Sequence, residues 1–281
     1  MIFPRLVSNN VSFSPPVAGQ ISTLDIELTN DALLCAELIY LSGATPARPN
    51  RAAMEAQIEF IELVINGTPQ WRRTPAEIFN REDERGYTVY DGRLPIRFAE
   101  PGRRTAIGEY SSALQLRRYN EVLLRVKLAA SGVTNPTLDV RLLKTNISQA
   151  LGQVIGSITT DTVQQVQITG AGLKKETFRP EGRALHFMRL KVGSELESLK
   201  VKVGNVEIFD FYDKTVADAL LTDAGFTPQA DSWLIGGEAF TQMIASAMQI
   251  NGPINFEFQM SSVPSGGRFE IVYEEFGEIK G

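Results

Sequence analysis

The feature that most constrains this chain is that it is written twice. From Phe60 it reads "FIELVINGTPQWRRTPAEIF", and from Leu199 it reads "LKVKVGNVEIFDFYDKTVADAL". Each stretch opens with apolar and polar residues in alternation, turns at an Asn/Gly pair, crosses an aromatic-bearing segment and reaches a Thr-headed helix start. Alternation with a period of two marks half-buried strands, and Asn/Gly pairs between such runs mark hairpins. The likeness continues in order along the chain. "LIYLSG" (Leu38–Gly43) is echoed by "MRLKVG" (Met188–Gly193), 150 residues later. "IELVI" from Ile61 and "LKVKV" from Leu199 lie 138 apart, so the first copy carries about twelve extra residues between these strands, within "ATPARPNRAAMEAQIEF". A Pro- and Ala-rich insertion of that size is tolerated in a surface loop.

The helical signals repeat too. Thr74, Pro75 and Glu77 form a capping box at the start of "TPAEIF", and Thr215 with Asp218 takes the matching place in "TVADALL". "IGEYSSALQLRRYN" from Ile107 answers "IGGEAFTQMIASAMQIN" from Ile235. In the latter, Phe240, Met243, Ile244, Ala247 and Met248 fall on one face of a helix, a core stripe rather than a ligand site. Both copies close alike. In "LLRVKL", Leu124, Val126 and Leu128 face in while Arg125 and Lys127 face out. In "INFEFQM", Phe256, Phe258 and Met260 oppose Glu257 and Gln259. Polar loops of nine and eight residues lead to "LDVRLL" and "FEIVYEEF". "TLDIELT" adds a strand with Leu24, Ile26 and Leu28 inward, and adjacent Phe60 and Ile61 break phase where a bulge belongs.

Strand-rich repeats of this size, with helices only in their connections, build two-sheet sandwiches. The expected fold is all-β: two tandem eight-stranded jelly rolls, with short helices in the connections. The expected divisions are an N-terminal arm at 1–19, a first roll at 20–147, a linker at 148–162 where alternation lapses, and a second roll at 163–281. The arm, "MIFPRLVSNNVSFSPP", is held extended by Pro4, Pro15 and Pro16. It is expected at the inner side of any assembly the chain forms, and loss of residues 1–16 is expected to spare oligomers but impair that assembly.

Chemistry is sparse. With 28 basic and 33 acidic residues the net charge is −5, and no basic block exceeds two adjacent residues, which argues against direct nucleic-acid binding. No apolar run approaches the eighteen or so residues of a membrane span, and the first residues lack a secretory apolar core. The one cysteine, Cys35 in "ALLCAEL", cannot form an intrachain disulfide and reads as a buried thiol. The one histidine, His186 in "ALHFMRL", cannot supply the clustered ligands of a bicupin metal site, and no G-x-S-x-G elbow or phosphate-binding loop accompanies it. Carboxylates gather in "NREDERGYTVYDG" (Glu82, Asp83, Glu84, Asp91) and "DFYDKTVAD" (Asp210, Asp213, Asp218). Two of them across a cleft would suffice for acid-pair catalysis, but solvated charge, turns and caps explain such residues equally. Asp side chains could hold a structural calcium ion, though without EF-hand spacing. Asn10, Asn66 and Asn146 head sequons that short chance matches produce. No catalytic residue and no cofactor is therefore assigned, and no metal ligand can be named.

The duplicated frame resembles the double jelly-roll major capsid proteins of icosahedral viruses with an internal membrane, most of all the corticovirus type within the tectivirus–adenovirus lineage. The segments that carry the resemblance are "LIYLSGATP", "IELVINGTPQW", "TPAEIFNRED" and "LLRVKLAASG" in the first copy. In the second they are "RPEGRALHFMRLKV", "SLKVKVGN" and "INFEFQM…FEIVYEEFG". The likeness covers most of residues 20–277 and is weakest at the insertion and across "ITTDTVQQVQITGAG". It implies a bacteriophage virion protein, made in the host cytoplasm, with no enzymatic activity. It implies pseudo-hexagonal homotrimers that tile an icosahedral shell over an internal lipid membrane. It further implies contacts with neighbouring capsomers, penton proteins and minor capsid or membrane proteins. Two other readings remain. Trp71, Trp233, Tyr87 and Tyr90 could stack on sugars in a carbohydrate-binding or carbohydrate-active β-sandwich, or the chain could be a spike or other host-binding module.

Overall fold

The structure is a computed structural model that describes residues 6–99, 112–146, 158–179, 184–211, 213–236, 248–249 and 252–279. The chain divides into two units, residues 1–83, 87–158 and 278–281, and residues 84–86 and 159–277.

The first unit is a jelly roll. Its strands are β1 (Leu6–Ser12), β2 (Ile21–Asp25), β3 (Ala32–Leu41), β4 (Ile58–Ile65), β5 (Thr68–Arg73), β6 (Arg93–Arg97), β7 (Leu114–Gln115), β8 (Val122–Leu128) and β9 (Thr137–Thr145). They form two antiparallel sheets, β1-β9-β3-β6 and β2-β8-β4-β5. β6 pairs with Cys35–Ile39 and β7 with Ala32–Leu33, so these two pieces share one strand's place beside β3. The inward residues of both sheets, among them Leu38, Tyr40, Ile61, Leu63, Leu124 and Val140, meet in one core. Helices α1 (Arg51–Gln57) and α2 (Pro75–Glu84) lie in connections. α1 occupies the insertion expected from the spacing.

The second unit repeats this order. Its strands are β10 (Ile158–Gln167), β11 (Gly172–Phe178), β12 (Ala184–Lys191), β13 (Leu196–Val203), β14 (Val206–Phe211), β15 (Trp233–Ile235), β16 (Met248–Gln249), β17 (Ile254–Met260) and β18 (Arg268–Gly277). The sheets are β10-β18-β12-β15 and β11-β17-β13-β14, the first unit's arrangement strand for strand, and β16 joins β12 as β7 joins β3. Helix α3 (Lys214–Asp223) stands where α2 stands in the first roll. A second core holds Leu190, Leu199, Val201, Phe256, Phe258 and Ile271.

Three bulges also repeat. The extra residues are Leu34 in β3, Glu59 in β4 and Gln70 in β5. In the second roll they are His186 in β12, Glu197 in β13 and Ile208 in β14. The phase break at Phe60 is thus the Glu59 bulge. The hairpins turn differently. Asn66 and Gly67 both have positive φ, as a type I′ turn requires, whereas in "GN" only Gly204 does, as in type II′. Either turn suits the twist of the flanking strands.

Several expectations need correction. Residues 6–12, placed in an arm, form β1 and pair with β9 from Leu6↔Thr145 to Ser12↔Asp139. This edge strand buries almost nothing, so it lacks the alternation that reveals its neighbours. Residues 158–162, placed in the linker, open β10. The bulges align Leu34 with His186, so β3 and β12 correspond at a spacing of 152, not 150. A slip of two residues keeps every side chain on its face, and hydrophobic pattern cannot detect it. Ile235 lies in β15, opposite Met188 as Ile96 lies opposite Ala36 in β6, so its counterpart is Ile96 rather than Ile107. Ile107 and the expected helix over residues 240–247 lie outside the described residues, and Met248 belongs to β16. The cap of α3 is Asp213, not Thr215. The Asp213 carboxylate accepts the Val216 N–H at 2.9 Å, and Asp218 pairs with Lys214 one turn back. Leu28, expected inward, is exposed, while Leu24 and Ile26 are buried as expected.

Candidate functional site

The side chains that could carry chemistry are placed one by one by the two rolls. His186 is the β12 bulge residue, fully buried, with its ring 4.2 Å from that of Phe187 and 6.4 Å from that of Phe276. It is a packing residue at a register shift. Cys35 is a free thiol on β3. It keeps some accessible surface, but burial of its sulfur pushes the thiol up to about 12 against the opposing pull of nearby Arg97. It is therefore protonated and inert at neutral pH.

The carboxylates do not converge on a catalytic pair. In the first roll, Glu82 accepts from Arg97 at 2.8 Å, Asp83 from Arg51, and buried Glu62 from Arg72 at 2.7 Å. Asp91 lines a cavity of about 80 Å³ with Arg51, Phe79 and Asp83. There Arg51 supplies the counter-charge, while also bonding Glu55 and Asn80. In the second unit, Asp210 pairs with Lys200 at 3.1 Å, Asp213 caps α3 and Asp218 pairs with Lys214. Glu84 and Glu274 both accept from Arg189, and all three side chains are buried. Burial opposes the Arg189 charge, but the two carboxylates outweigh it and hold the guanidinium well above the ordinary arginine range. Among the described residues no group of three or more His, Cys, Asp or Glu side chains could hold a metal ion. No described helix is long and apolar enough to cross a membrane.

The aromatic residues do not build a sugar platform. Trp71 packs in the first core and Trp233 in the second. Tyr87 lies under the Arg97 guanidinium at 4.4 Å, leaving Tyr90 as the exposed member of the four. Asn66, in a sequon, accepts the backbone N–H groups of Asn120 and Glu121 through its side-chain oxygen, which ties the β4–β5 turn to the residues leading into β8. An open groove of about 510 Å³ in the second roll is lined by Lys191, Glu195, Asp231 and Arg268, with the Glu195 carboxylate turned onto the Gly193 N–H. Nothing in it pairs a nucleophile with a base.

Residues 9–142 match the family model for the viral coat protein P2 N-terminal domain. The first roll is therefore similar to a viral coat protein domain. The chain is similar to the crystal structure of the major capsid protein P2 from bacteriophage PM2, with a TM-score of 0.81 and 11% identity over 98% of both chains. It is also similar to a chain of the Sulfolobus turreted icosahedral virus structure (TM-score 0.65, 9% identity, 96% of this chain and 90% of that one). A third likeness is to the PBCV-1 virus capsid (TM-score 0.62, 11% identity, 98% and 94%). At these identities the structures establish the fold alone, a double jelly roll. No curated protein matches the chain. The matched family and structures are structural capsid proteins, not enzymes.

Proposed function

We propose that this protein is a viral major capsid protein. Three copies form a pseudo-hexagonal capsomer that tiles an icosahedral shell over an internal membrane. The observation that carries the reading is a first roll that matches the coat-protein family model, followed by a second roll with the same strand order and the same three bulges. Two like rolls per chain give a trimer six similar flanks, the footprint a hexagonal lattice needs, while each roll keeps its own loops. Neighbouring capsomers, penton proteins and minor capsid or membrane proteins are the partners this role requires. The net charge of −5 assigns genome contact to other proteins. The N-terminal arm read from the sequence, of which residues 6–12 form β1, is assigned to the membrane-facing side.

Sedimentation and light scattering on the purified chain, with electron microscopy of shells, test the proposal. The expected result is a stable trimer and its density repeated across shell facets. A chain that stays monomeric at high concentration and enters no shell would overturn it. Deleting residues 1–5 is expected to leave trimers intact and reduce shell yield. Deleting through residue 12 removes β1 as well and uncovers the β9 edge, so it is expected to damage the first roll itself.

A further inference from the structure

We propose that the cavity beside Arg51 in the first roll takes the side chain of a lysine presented by a partner protein. The inference does not rest on the capsid reading, and its test needs no shell. The cavity, of about 80 Å³, lies between α1, α2 and residues 89–91, which lead into β6.

The fold does not require this cavity. Between β12 and β13 the second roll uses four residues, 192–195, whereas between β3 and β4 the first uses sixteen, 42–57. The additional residues hold α1, and α1 brings Arg51 and Met54 to the cavity. The helix is firmly seated. Met54 is fully buried, and the Asn50 side chain caps the helix by accepting the Ala53 N–H at 2.9 Å. A segment that the second roll omits, yet that is capped and packed in the first, is free to serve a purpose other than closing the roll.

Size narrows the occupant. One water needs roughly 10–15 Å³ of such space, so the cavity has room for about five to eight atoms of that size. That is well below the roughly 300–1,000 Å³ of a small-molecule site and suits the end of one side chain. A lysine, an ammonium on a four-carbon stem, is of that size.

Charge gives its sign. Arg51 is the cation of the lining, and it is already engaged. Its Nε donates to Glu55 at 3.0 Å, one terminal nitrogen to Asn80 at 2.8 Å and the other to Asp83, while its guanidinium sits over the Phe79 ring at 4.9 Å. An anion would meet a guanidinium that two carboxylates share. Asp91, by contrast, makes no hydrogen bond or ion pair among the described residues. Glu55, Asp83 and Asp91 thus set three negative charges against the one of Arg51. Arg48, whose stem lies against Gly92, forms no ion pair and, even counted in full, leaves an excess of one negative charge. Met54, Phe79 and Val89 offer apolar surface to a methylene stem, the Asp91 carboxylate meets the ammonium, and the exposed Tyr90 ring adds a π face.

The lysine comes from a different protein. Seven of the eight described lysines already bond an oxygen of their own chain, and the eighth, Lys174, is half-buried on β11.

The test follows Met54. The chain has six methionines, so methyl-labelled methionine gives few resonances, and Met54→Leu identifies the one at the cavity. Nα-acetyl-lysine methylamide is titrated into the full chain. The Met54 resonance is expected to shift and saturate with a Kd on the order of 1–10 mM, the weak affinity of a lone side chain without a partner's flanking contacts. The same compound acetylated on Nε has the stem without the charge and is expected to leave Met54 unmoved. Asp91→Asn, at an exposed position, is expected to weaken binding about threefold, and Asp91→Lys to abolish it. A Met54 resonance that stays in place at the highest soluble probe concentration overturns the proposal. So does an equal response to the neutral compound, or binding untouched by Asp91→Asn. Self-association lost in Asp91→Lys, with thermal unfolding unchanged, would give the cavity to a second copy and overturn it as well.

Discussion

Replacing Arg189 by Met should destabilise the second roll through charge rather than volume. Arg189 lies on β12 with its Nε 3.0 Å from Glu84 Oε1 and a terminal nitrogen 3.1 Å from Glu274 Oε1, and neither carboxylate reaches solvent. Methionine replaces much of the aliphatic stem, so little packing is lost. What remains is two buried carboxylates without their cation. Breaking a buried ion pair costs about 3–5 kcal/mol, and the retained packing places the expected loss near the lower end, roughly 3 kcal/mol. For a unit of about 120 residues that lowers its melting temperature by about 10 °C. The chain has two tryptophans, one buried in each roll. In a Trp71→Phe background, Trp233 fluorescence therefore follows the second roll alone. Two companion experiments separate charge from shape. Changing Glu84 and Glu274 to Gln together with Arg189→Met should restore more than half of the loss. In the single variant the stranded carboxylates take up protons more readily folded than unfolded, so stability should rise as pH falls from 8 to 5. Arg189→Lys should rescue poorly, because a single ammonium replaces a fork that reaches Glu84 through Nε and one terminal nitrogen and Glu274 through the other. A loss under about 1 kcal/mol, or one independent of pH, would refute the reasoning.

Thr74→Ala and Asp213→Ala should each cost about 1 kcal/mol in chemical denaturation, whereas Thr215→Ala should cost far less, since Thr215 lies inside the helix that Asp213 caps. Gly236→Ala should cost several times more than an ordinary surface change. Gly236 has φ +151°, and an added Cβ would lie 2.7 Å from the His186 carbonyl oxygen, which the β12 backbone holds in place. Poor expression or a large drop in melting temperature is the expected readout. Cys35 should resist thiol reagents at pH 8 in the folded chain and react at once in denaturant. Because its folded value of about 12 lies above the ordinary thiol value of 9.0, the thiolate is disfavoured by folding. Its contribution is fully present below about pH 9 and lost as pH rises towards 12, which a Cys35→Ala comparison in alkaline titration would reveal.

What could be read from the sequence was whatever the period of a half-buried strand records. β8 and β17 alternate without fault because one face meets a core and the other meets water, and the hairpins announce themselves in Asn-Gly and Gly-Asn. The capping box at Thr74 was legible because both of its hydrogen bonds are local, Thr74 N–H to Glu77 and Glu77 N–H to Thr74 Oγ1. β1 was not legible, since its stability comes from pairing with β9, more than 120 residues away, and leaves no mark on its own side chains. The shift of β3 against β12 was invisible for a different reason: displacement by two preserves facing, and only the positions of the bulges reveal it. Asp213 was overlooked in favour of Thr215 because a Thr-headed helix matched the first copy. The scarcity of chemistry-bearing side chains could be read from one His and one Cys. That Glu82, Asp83 and Glu84 each have a separate cation, with a partner as distant as Arg189 for Glu84, could not.

The paired bulges have a consequence for how such a chain can change over time. Each bulge fixes where its strand switches face, much as a punctuation mark fixes a reading frame. A lost or gained residue upstream of Leu34 or His186 would turn outward every side chain up to that point, and the bulge would still mark the old boundary. Point substitutions carry no such penalty, and length changes are harmless once a strand has ended, as the α1 insertion demonstrates. The two rolls remain in step even where the bulge residue differs, as at Leu34 and His186 and at Gln70 and Ile208. Two such chains should be matched by where their strands change phase, which survives after the residues themselves have been replaced.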